Sequence, residues 1–499
     1  MLTRPPSPTL HSPPGTIFLE LSMFYDALTD KPQSSKLVST LQRMHESGIT
    51  TVVFSASWEW LNPEPDQLRT AYLNMLMDAA CKSTDLKVDM ILDLVAAPQW
   101  LWNRYFDARA FDSDGRNYTR LSWFHPLGGE AARAFLGKAA TYLAQTYPGC
   151  VQAIQPVYNN EYEAKFTQEF DAFQDYSPYA LAAFREWLSA KRPHVELVNL
   201  RWGTGFKSWG EVVPPKLHSG NFIGADFSAR YHDWLRFREE FGADTYNRAC
   251  ATVQKAGLQC FHHFPEFFTV LDAIYGAAMF KRIAASPHTD FLIMDSNFMT
   301  PYGTVMNTHK LRLYISAAHS YGKPVYFEAA VERFPLLGLL AAGYQSAMLA
   351  GADSVGITNW HTRVEMNATL GAIMRAAPEC RACELVGVFV HLDSCSAWHG
   401  LQWGRAQTDP LHNFIEDLAE RLSEHCGTDV AVYIELDRFL ADMPTFTRAV
   451  FVEPLVLYGN GELESYIAVK GALKALPHQL LQLPTNITSG PSLVVLQEL

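Results

Sequence analysis

The stretch VQAIQPVYNNE (151–161) is an apolar run that ends in two amides and a carboxylate. Such a run, without polar alternation, is typical of a strand in a parallel sheet that is buried on both faces. The stretch GGEAARAFLGKAATYLAQTYPG (128–149) precedes it and has the pattern of a helix that stops at a glycine. We therefore predict a buried parallel strand whose C-terminal end carries Asn160 and Glu161.

The same alternation of short apolar runs and longer amphipathic stretches recurs along the chain. Seven further runs are predicted to be strands: 16–24, 50–58, 88–96, 258–264, 290–296, 324–330 and 354–360. The helical stretches between them are 35–48, 70–82, 270–284, 309–322 and 335–351. Eight strands with helical crossovers predict an α/β fold, the (β/α)8 TIM barrel. A doubly wound open sheet is the alternative arrangement of the same elements.

The pattern also predicts how the chain is divided. We assign the barrel to residues 16–383, with an insertion after strand 4 at about 163–257. Strand-like runs at 385–392, 429–436 and 448–457 alternate with helical stretches, which predicts a smaller flavodoxin-like α/β domain at 384–499. No Gly-rich phosphate loop follows these strands, so we assign no nucleotide. The Pro-rich residues 1–15 are predicted to be a disordered tail.

Charge and hydropathy narrow the class of protein. The formal net charge is −12, which argues against a nucleic-acid or anionic-membrane partner. No run of 18 apolar residues suggests a membrane span. The N-terminus lacks the apolar stretch of a signal peptide, so a cytoplasmic location is the default. Secretion stays open, because a removed leader would leave no trace.

The eight cysteines are scattered along the chain rather than densely spaced. Cys380 and Cys383 form a lone CxxC, which we interpret as free thiols rather than a zinc site, because there is no second pair. His262, His263 and Glu266 match no metal-binding motif.

Carboxylates close two of the predicted strands. Asn160 and Glu161 end the fourth strand and Glu328 ends the seventh, so a barrel would bring them to the same face. Two facing carboxyl groups can hydrolyse a glycosidic bond, one as acid and the other as nucleophile or base. The amide of Asn160 can hold a sugar 2-hydroxyl. This chemistry requires no cofactor and no metal.

Several motifs resemble those of the retaining (β/α)8-barrel glycosidases, and most of all the family 42 β-galactosidases. They are APQWL (97–101), NEY (160–162), FREWLSAK (184–191) and LVNLRWGTGFKSWGEVVPP (197–215). The resemblance implies double displacement with Glu161 as acid/base and Glu328 as nucleophile. It also implies a substrate contact for Arg120 and a trimer assembled through the smaller domain.

The remaining candidate substrate contacts follow predicted strands. They are Trp58, Trp100, Asn297, Tyr302 and Trp360, where aromatic rings can stack on a sugar. Core packing is the alternative for the tryptophans, and of Trp58 and Trp60 one is expected to line the pocket and the other to pack. Residues 161–176 hold no cysteine, so we predict no zinc of the kind common in the resembled family.

Three functions remain open from the sequence. The first is a β-galactosidase-like retaining glycosidase. The second is a glycosidase of the same clan that acts on another β-glycoside or inside a polysaccharide. The third is a carbohydrate-binding barrel without catalytic turnover. In each case an oligo- or polysaccharide is the expected partner.

Overall fold

A computed structural model describes the larger part of the chain. The described residues are 16–19, 25–26, 31–32, 34–46, 48–159, 162–166, 174–216, 229–264, 279–295, 310–330, 347, 351–358, 384–390 and 428–451. Several sequence predictions fall outside them. These are the tail 1–15, the candidate site residues Asn160, Glu161, Asn297, Tyr302 and Trp360, and the cysteines Cys380 and Cys383.

Fifteen strands are present in the described residues. In chain order they are β1 Thr16–Leu19, β2 Tyr25–Asp26, β3 Lys31–Pro32, β4 Thr51–Ser57, β5 Lys87–Asp93, β6 Arg109–Phe111, β7 Asn117–Leu121, β8 Val151–Val157, β9 Gln259–Phe264, β10 Phe291–Asp295, β11 Val325–Ala330, β12 Ser354–Thr358, β13 Glu384–Phe389, β14 Thr428–Tyr433 and β15 Arg448–Phe451. Each of the eight predicted barrel runs overlaps one of them, and only β5 begins outside its run, one residue earlier at Lys87.

Eight of these strands form a closed parallel barrel. The order around it is β1, β4, β5, β8, β9, β10, β11 and β12, and β12 pairs back onto β1. The predicted TIM barrel is therefore confirmed, and the closure excludes the open doubly wound sheet. The two-stranded hairpins β2–β3 and β6–β7 are antiparallel and lie outside the barrel sheet.

Alternate side chains of the barrel strands point inward. They form an apolar cluster of Val53, Ile91, Val95, Ala153, Val157, Phe261, Phe291, Ile293 and Tyr326. The intervening side chains, such as Phe54, Met90 and Leu92, join the large core between strands and helices. Burial of one such side chain stabilises the fold by about 1.5–3 kcal/mol, which explains why these strands are apolar on both faces.

The described helices surround the barrel and extend beyond it. They are α1 Ser34–Glu46, α2 Trp58–Leu61, α3 Thr70–Met77, α4 Gln99–Arg104, α5 Pro126–Thr146, α6 Pro178–Lys191, α7 Val195–Trp202, α8 Ala229–Lys255, α9 Met279–Ala284, α10 Lys310–His319 and α11 Leu436–Asp442. A π-helical turn, Asp78–Lys82, continues α3, and 3-10 turns lie at Trp209–Glu211 and Met443–Thr445.

The start of α5 shows how local sequence sets a helix boundary. Pro126 occupies the first turn, where its missing N–H costs nothing. The Nδ1 atom of His125 accepts a hydrogen bond from the backbone N–H of Gly128 at 2.9 Å. This bond satisfies one of the free amides at the helix N-terminus.

Between β8 and β9 the described chain forms three helices. The longest, α8, packs against α5 and contacts both β8 and β9. Its Asp233 carboxylate accepts a hydrogen bond from the indole of Trp202 at 2.8 Å, which joins α8 to α7.

The C-terminal strands form a separate three-stranded parallel sheet in the order β14, β13, β15. This sheet packs against α10 of the barrel. The backbone N–H of Val432 donates to Oγ of Ser316 at 2.8 Å, and Arg438 donates to the carbonyl of Ser320 at 2.9 Å.

Among the described residues, two disulfides are present, and cysteine spacing did not predict them. Cys81–Cys150 joins the turn after α3 to the residue before β8, and Cys250–Cys260 joins α8 to β9. The paired cysteines lie 69 and 10 residues apart in sequence. In the part of the chain that the structure describes, no helix has both the length and the apolar character needed to span a membrane.

Candidate active site

Glu328 lies at the C-terminal end of the barrel, on the seventh barrel strand, β11. In the strand register it is paired with Asp295 on one side and Gly356 on the other. Its residue surface is 9% exposed, so the carboxylate is nearly enclosed. Catalytic side chains of TIM-barrel enzymes come from this end of the strands.

His263 on β9 connects Glu328 with the fourth barrel strand. Its Nε2 atom lies 2.8 Å from Oε2 of Glu328. On the other side of the ring, Nδ1 lies 2.5 Å from Oε1 of Gln155, a fully buried side chain of β8. Burial lowers the pKa of His263 to about 3, while the carboxylate of Glu163 acts in the opposite direction.

The chain that leaves β8 is held by side-chain hydrogen bonds on both sides of residues 160 and 161. The Asn159 amide donates to the carbonyls of Glu163 and, at 3.0 Å, of Lys165. The Gln155 amide donates to the carbonyl of Tyr162 at 2.6 Å. Tyr162 has a φ of 63°, a left-handed conformation that is uncommon outside glycine.

An ion pair lies just beyond this turn. The ammonium of Lys165 contacts the carboxylate of Glu163, and both side chains are about a tenth exposed. Glu163 also forms a parallel β-bridge with His263. The chain after β8 is therefore joined directly to β9 at the mouth of the barrel.

A second polar group lies at the end of β5. Burial raises the pKa of Asp93 to about 6, and the neighbouring Glu59 acts in the same direction. The backbone N–H of Val95, which donates to Oδ1 at 2.8 Å, and the charge of Arg120 both oppose this rise. Arg120, the predicted substrate contact, is thus close to Asp93 and half-buried on the hairpin strand β7.

The two predicted tryptophans in the described residues differ in burial. Trp58 is completely buried, stacks on Phe135 of α5 at 6.0 Å between ring centroids, and donates its indole N–H to Asn62. As a correction to its prediction as a substrate contact, Trp58 packs in the core. Trp60 is half-buried and also packs against the core, edge-on to the ring of Tyr72 at 4.5 Å. Trp100 is half-buried and donates to the carbonyl of Asn62 at 2.9 Å.

Within the described part of the chain, one group of side chains has the composition of a metal site. The ligand atoms of Cys250, Cys260 and His262 lie within 4.8 Å of one another. The two sulfurs are bonded to each other, so they offer no thiolate. His262 points away from the barrel interior towards α8, with Nε2 3.0 Å from Sγ of Cys250. This group therefore lies on the other face of β9 from His263.

Three residues of the site were not predicted as site residues from the sequence: Gln155, His263 and Asp93. Each is a polar residue within an apolar strand and occupies a position whose side chain points into the barrel. A polar side chain at a buried strand position requires a partner, and this signal was available in VQAIQPV and QCFHHF.

The chain is similar to known β-galactosidases in sequence. A family model described as β-galactosidase, that of glycoside hydrolase family 42, matches residues 30–326. The β-galactosidase of Thermus thermophilus is 29% identical over 246 residues, which cover 46% of this chain and 36% of that protein. The β-galactosidase BbgII of Bifidobacterium bifidum is 24% identical over 216 residues, which cover 41% of this chain and 30% of that protein. This chain thus aligns with about a third of the length of these curated relatives.

Solved structures share the fold. The β-galactosidase from the psychrophilic Marinomonas ef1 superposes with a TM-score of 0.66 at 16% identity, over 94% of this chain and 75% of that one. The catalytic domain of β-amylase from Paenibacillus polymyxa superposes with a TM-score of 0.59 at 15% identity, over 73% of this chain and 97% of that one. These likenesses concern the fold alone. Because the family model covers more than half of the 499 residues, the chain belongs to glycoside hydrolase family 42.

Proposed function

We propose that this chain is a retaining glycosidase with a β-galactosidase-like preference, in which Glu328 is the nucleophile and Glu161 the acid/base. The observation that carries the proposal is the position of Glu328, a nearly enclosed carboxylate at the C-terminal end of the seventh strand of a closed barrel. The family match ends at residue 326. The role of Glu328 therefore rests on its position in the fold and on the resemblance at the strand ends.

The proposed reaction is a double displacement. Glu328 attacks the anomeric carbon while Glu161 protonates the leaving glycosidic oxygen. Glu161 then takes a proton from a water molecule, which hydrolyses the covalent glycosyl-enzyme. Asn160 holds the 2-hydroxyl of the sugar. A retaining mechanism places the two carboxyl groups about 5–5.5 Å apart.

We propose that Arg120 and Trp100 contact the sugar, together with Asn297, Tyr302 and Trp360. Arg120 is supported by its closeness to Asp93 at the end of β5. Trp100 is supported by its half-buried side chain, whose ring contacts that of Trp58 directly after β4 at 6.4 Å between centroids. Trp58 takes no part, because its side chain is enclosed by the core.

We further propose that residues about 163–257 form an insertion and that residues 384–499 form a second, flavodoxin-like domain through which the chain assembles as a trimer. The parallel order β14, β13, β15 supports an α/β domain. Analytical ultracentrifugation tests the assembly. A sedimenting mass of three times 56.0 kDa is expected, and a monomer at micromolar concentration contradicts the trimer.

Hydrolysis of a panel of nitrophenyl glycosides, beginning with the β-galactoside, tests the proposed activity. Glu328→Gln should abolish release of nitrophenol. Glu332 is a carboxylate four residues further on, and Glu332→Gln should retain this release. Glu328→Gly with added azide should yield the α-glycosyl azide, because azide attacks from the side of the missing carboxylate. A fully active Glu328→Gln would overturn the assignment of the nucleophile. Absence of hydrolysis for every glycoside of the panel would overturn the β-galactosidase-like preference.

A further inference from the structure

Asp93 is the last residue of β5, and its side chain points into the barrel. Its neighbours along the chain establish this direction. Ile91 and Val95 belong to the apolar cluster inside the barrel. Leu92 and Leu94 belong instead to the core between strands and helices. Because successive strand residues point to opposite faces, Asp93 shares the inward direction of Ile91.

The barrel order places the end of β5 beside one proposed catalytic strand and across from the other. β5 and β11 are four strands apart in a ring of eight, so Asp93 and Glu328 lie on opposite sides of the barrel mouth. β8 is the direct neighbour of β5, and Asp93 is paired in register with Val157, three residues before Asn160. A sugar ring bound in the mouth at Glu328 is therefore bounded on the far side by the end of β5.

The two oxygens of the Asp93 carboxylate have different surroundings. Oδ1 accepts a hydrogen bond from the backbone N–H of Val95 at 2.8 Å, which fixes the side chain in a tight turn. In the part of the chain that the structure describes, no donor is paired with Oδ2. The side chain is half-buried, so it is accessible from the mouth. One oxygen is thus anchored by the chain, and the other is an open acceptor.

The surroundings of this carboxylate suit a sugar. The backbone N–H of Glu59 donates to the carbonyl of Ala96 at 3.1 Å, which ties the loop after β5 to α2. Arg120 on β7 supplies a positive charge close to Asp93. A sugar hydroxyl both donates and accepts hydrogen bonds, so a guanidinium and a carboxylate side by side can bind the same sugar. Arg120 then donates to it, and Asp93 accepts from it.

We propose that Asp93 is a specificity-determining residue, whose Oδ2 atom accepts a hydrogen bond from one ring hydroxyl of the bound sugar other than the 2-hydroxyl assigned to Asn160. The inference rests on the proposed function and deepens it. It restricts the substrate class to glycosides in which this hydroxyl is free, because a sugar without it leaves the carboxylate without a donor. Asp93 takes no part in bond breaking, so its effect falls on sugar binding.

The charged groups around Asp93 make this contact dependent on pH. Among the described residues, Glu59 faces it from α2 and Arg120 from β7, while the flanking strands present Ser57 and Val157, which do not titrate. Burial, reinforced by Glu59, raises the pKa of Asp93 to about 6. An ionised acceptor forms a stronger hydrogen bond than a neutral one. The affinity for the sugar should therefore decrease as the pH falls through about 6.

The test is a double-mutant-type cycle between protein and sugar, measured by isothermal titration calorimetry at pH 7.5. Asp93→Asn keeps an oxygen for the N–H of Val95 but replaces the open acceptor with a donor. Wild type and variant are titrated with D-galactose and with its 3-, 4- and 6-deoxy analogues. One deoxy sugar should bind the wild type about 10- to 100-fold more weakly than galactose does. In Asp93→Asn, galactose itself should bind more weakly, and the same deoxygenation should cost less than about 3-fold.

Asp290→Asn is the matched control. Asp290 also accepts a backbone N–H, that of Cys260 at 2.8 Å, but it precedes β10 at the other end of the barrel. This variant should bind all four sugars as the wild type does. If Asp93→Asn folds poorly, the wild type alone provides the test at pH 5 and pH 7.5. Galactose should bind more weakly at pH 5, and the deoxy sugar that binds most weakly at pH 7.5 should not show this change.

The outcomes separate this inference from the proposed function. If each deoxygenation costs the same in Asp93→Asn as in the wild type, the inference is overturned, while hydrolysis of the nitrophenyl galactoside would still support the proposed function. Galactose binding that depends on Asp93, without hydrolysis of any glycoside, would instead overturn the proposed function. No binding of galactose to the wild type would overturn the inference alone, because hydrolysis is measured separately. An equal loss of affinity in Asp290→Asn would mean a general effect on the fold and would also overturn the inference.

Discussion

The carboxylate of Asp89 is buried next to the backbone N–H of Ala153 on the neighbouring barrel strand. Asp89 is 1% exposed, and burial raises its pKa to about 7, while the Ala153 amide acts in the opposite direction. Asp89 lies inside β5, four residues before Asp93, and therefore deeper in the barrel. It is a buried acid that the proposed reaction does not use.

The free energy of unfolding should therefore depend on pH through Asp89. Because its folded-state pKa is above the unfolded value of 3.8, folding favours the protonated form. The contribution of protonated Asp89 to the free energy of unfolding is fully present below about pH 4 and is lost as the pH rises to about 7. Asp89→Asn should be more stable than the wild type at pH 8, by an amount on the order of 4 kcal/mol, and show little gain at pH 4.

Urea unfolding at pH 4, 6 and 8 measures this effect. Asp114→Asn, which changes a half-exposed carboxylate on the β6–β7 hairpin, is the control and should show no comparable pH-dependent gain. An equal gain for Asp89→Asn at pH 4 and pH 8 would contradict the prediction.

Arg120 should act in substrate binding more than in the chemical step. Arg120→Gln removes a cation near Asp93, so KM for the β-galactoside should rise about 10-fold, with a smaller change in kcat. The control is Arg116→Gln. Arg116 lies on the same hairpin, where it is paired with Asp112, and its substitution should leave KM unchanged. Steady-state kinetics of both variants decides, and an unchanged KM in Arg120→Gln would remove Arg120 from the site.

The ion pair of Lys165 and Glu163 should be important for stability because it is buried. Lys165→Met leaves a buried carboxylate without its partner and should lower the free energy of unfolding by about 3–5 kcal/mol. The double variant with Glu163→Gln should recover part of this loss. Lys82→Met breaks a pair of the same type, with Asp78, on the surface and should cost about 1 kcal/mol or less. Chemical denaturation of the wild type, Lys165→Met, Glu163→Gln and the double variant completes the cycle. Equal losses for Lys165→Met and Lys82→Met would contradict the argument from burial.

The Cys81–Cys150 disulfide should stabilise the fold more than Cys250–Cys260. It closes a loop of 69 residues rather than 10, and chain entropy alone gives about 4 against about 3 kcal/mol. Cys81→Ser should therefore lower the thermal midpoint of unfolding more than Cys250→Ser does. Alkylation of the unreduced protein, followed by mass spectrometry, checks both bonds, and free thiols at these positions would overturn the expectation.

Local pattern was sufficient for the order of the barrel strands. Runs such as TVVFSAS in β4 and KVDMILD in β5 are apolar on both faces because both faces are covered, and this property is visible in the sequence. Helix boundaries were also local, as at Gly48, whose φ of 86° follows the end of α1. The same pattern placed Glu328 in the seventh strand, where the structure has it two residues before the end of β11 at Ala330.

The sequence by itself therefore determined the barrel, because the period of apolar residues is a property of neighbouring positions. Only the tertiary structure decided which polar side chains meet. His262 and His263 are adjacent in sequence, yet one faces a disulfide under α8 and the other faces Glu328, since alternate strand residues point to opposite faces. The same holds for Trp58 and for the Cys81–Cys150 pair, because Phe135 and Cys150 lie far along the chain from their partners and come close only when the barrel closes.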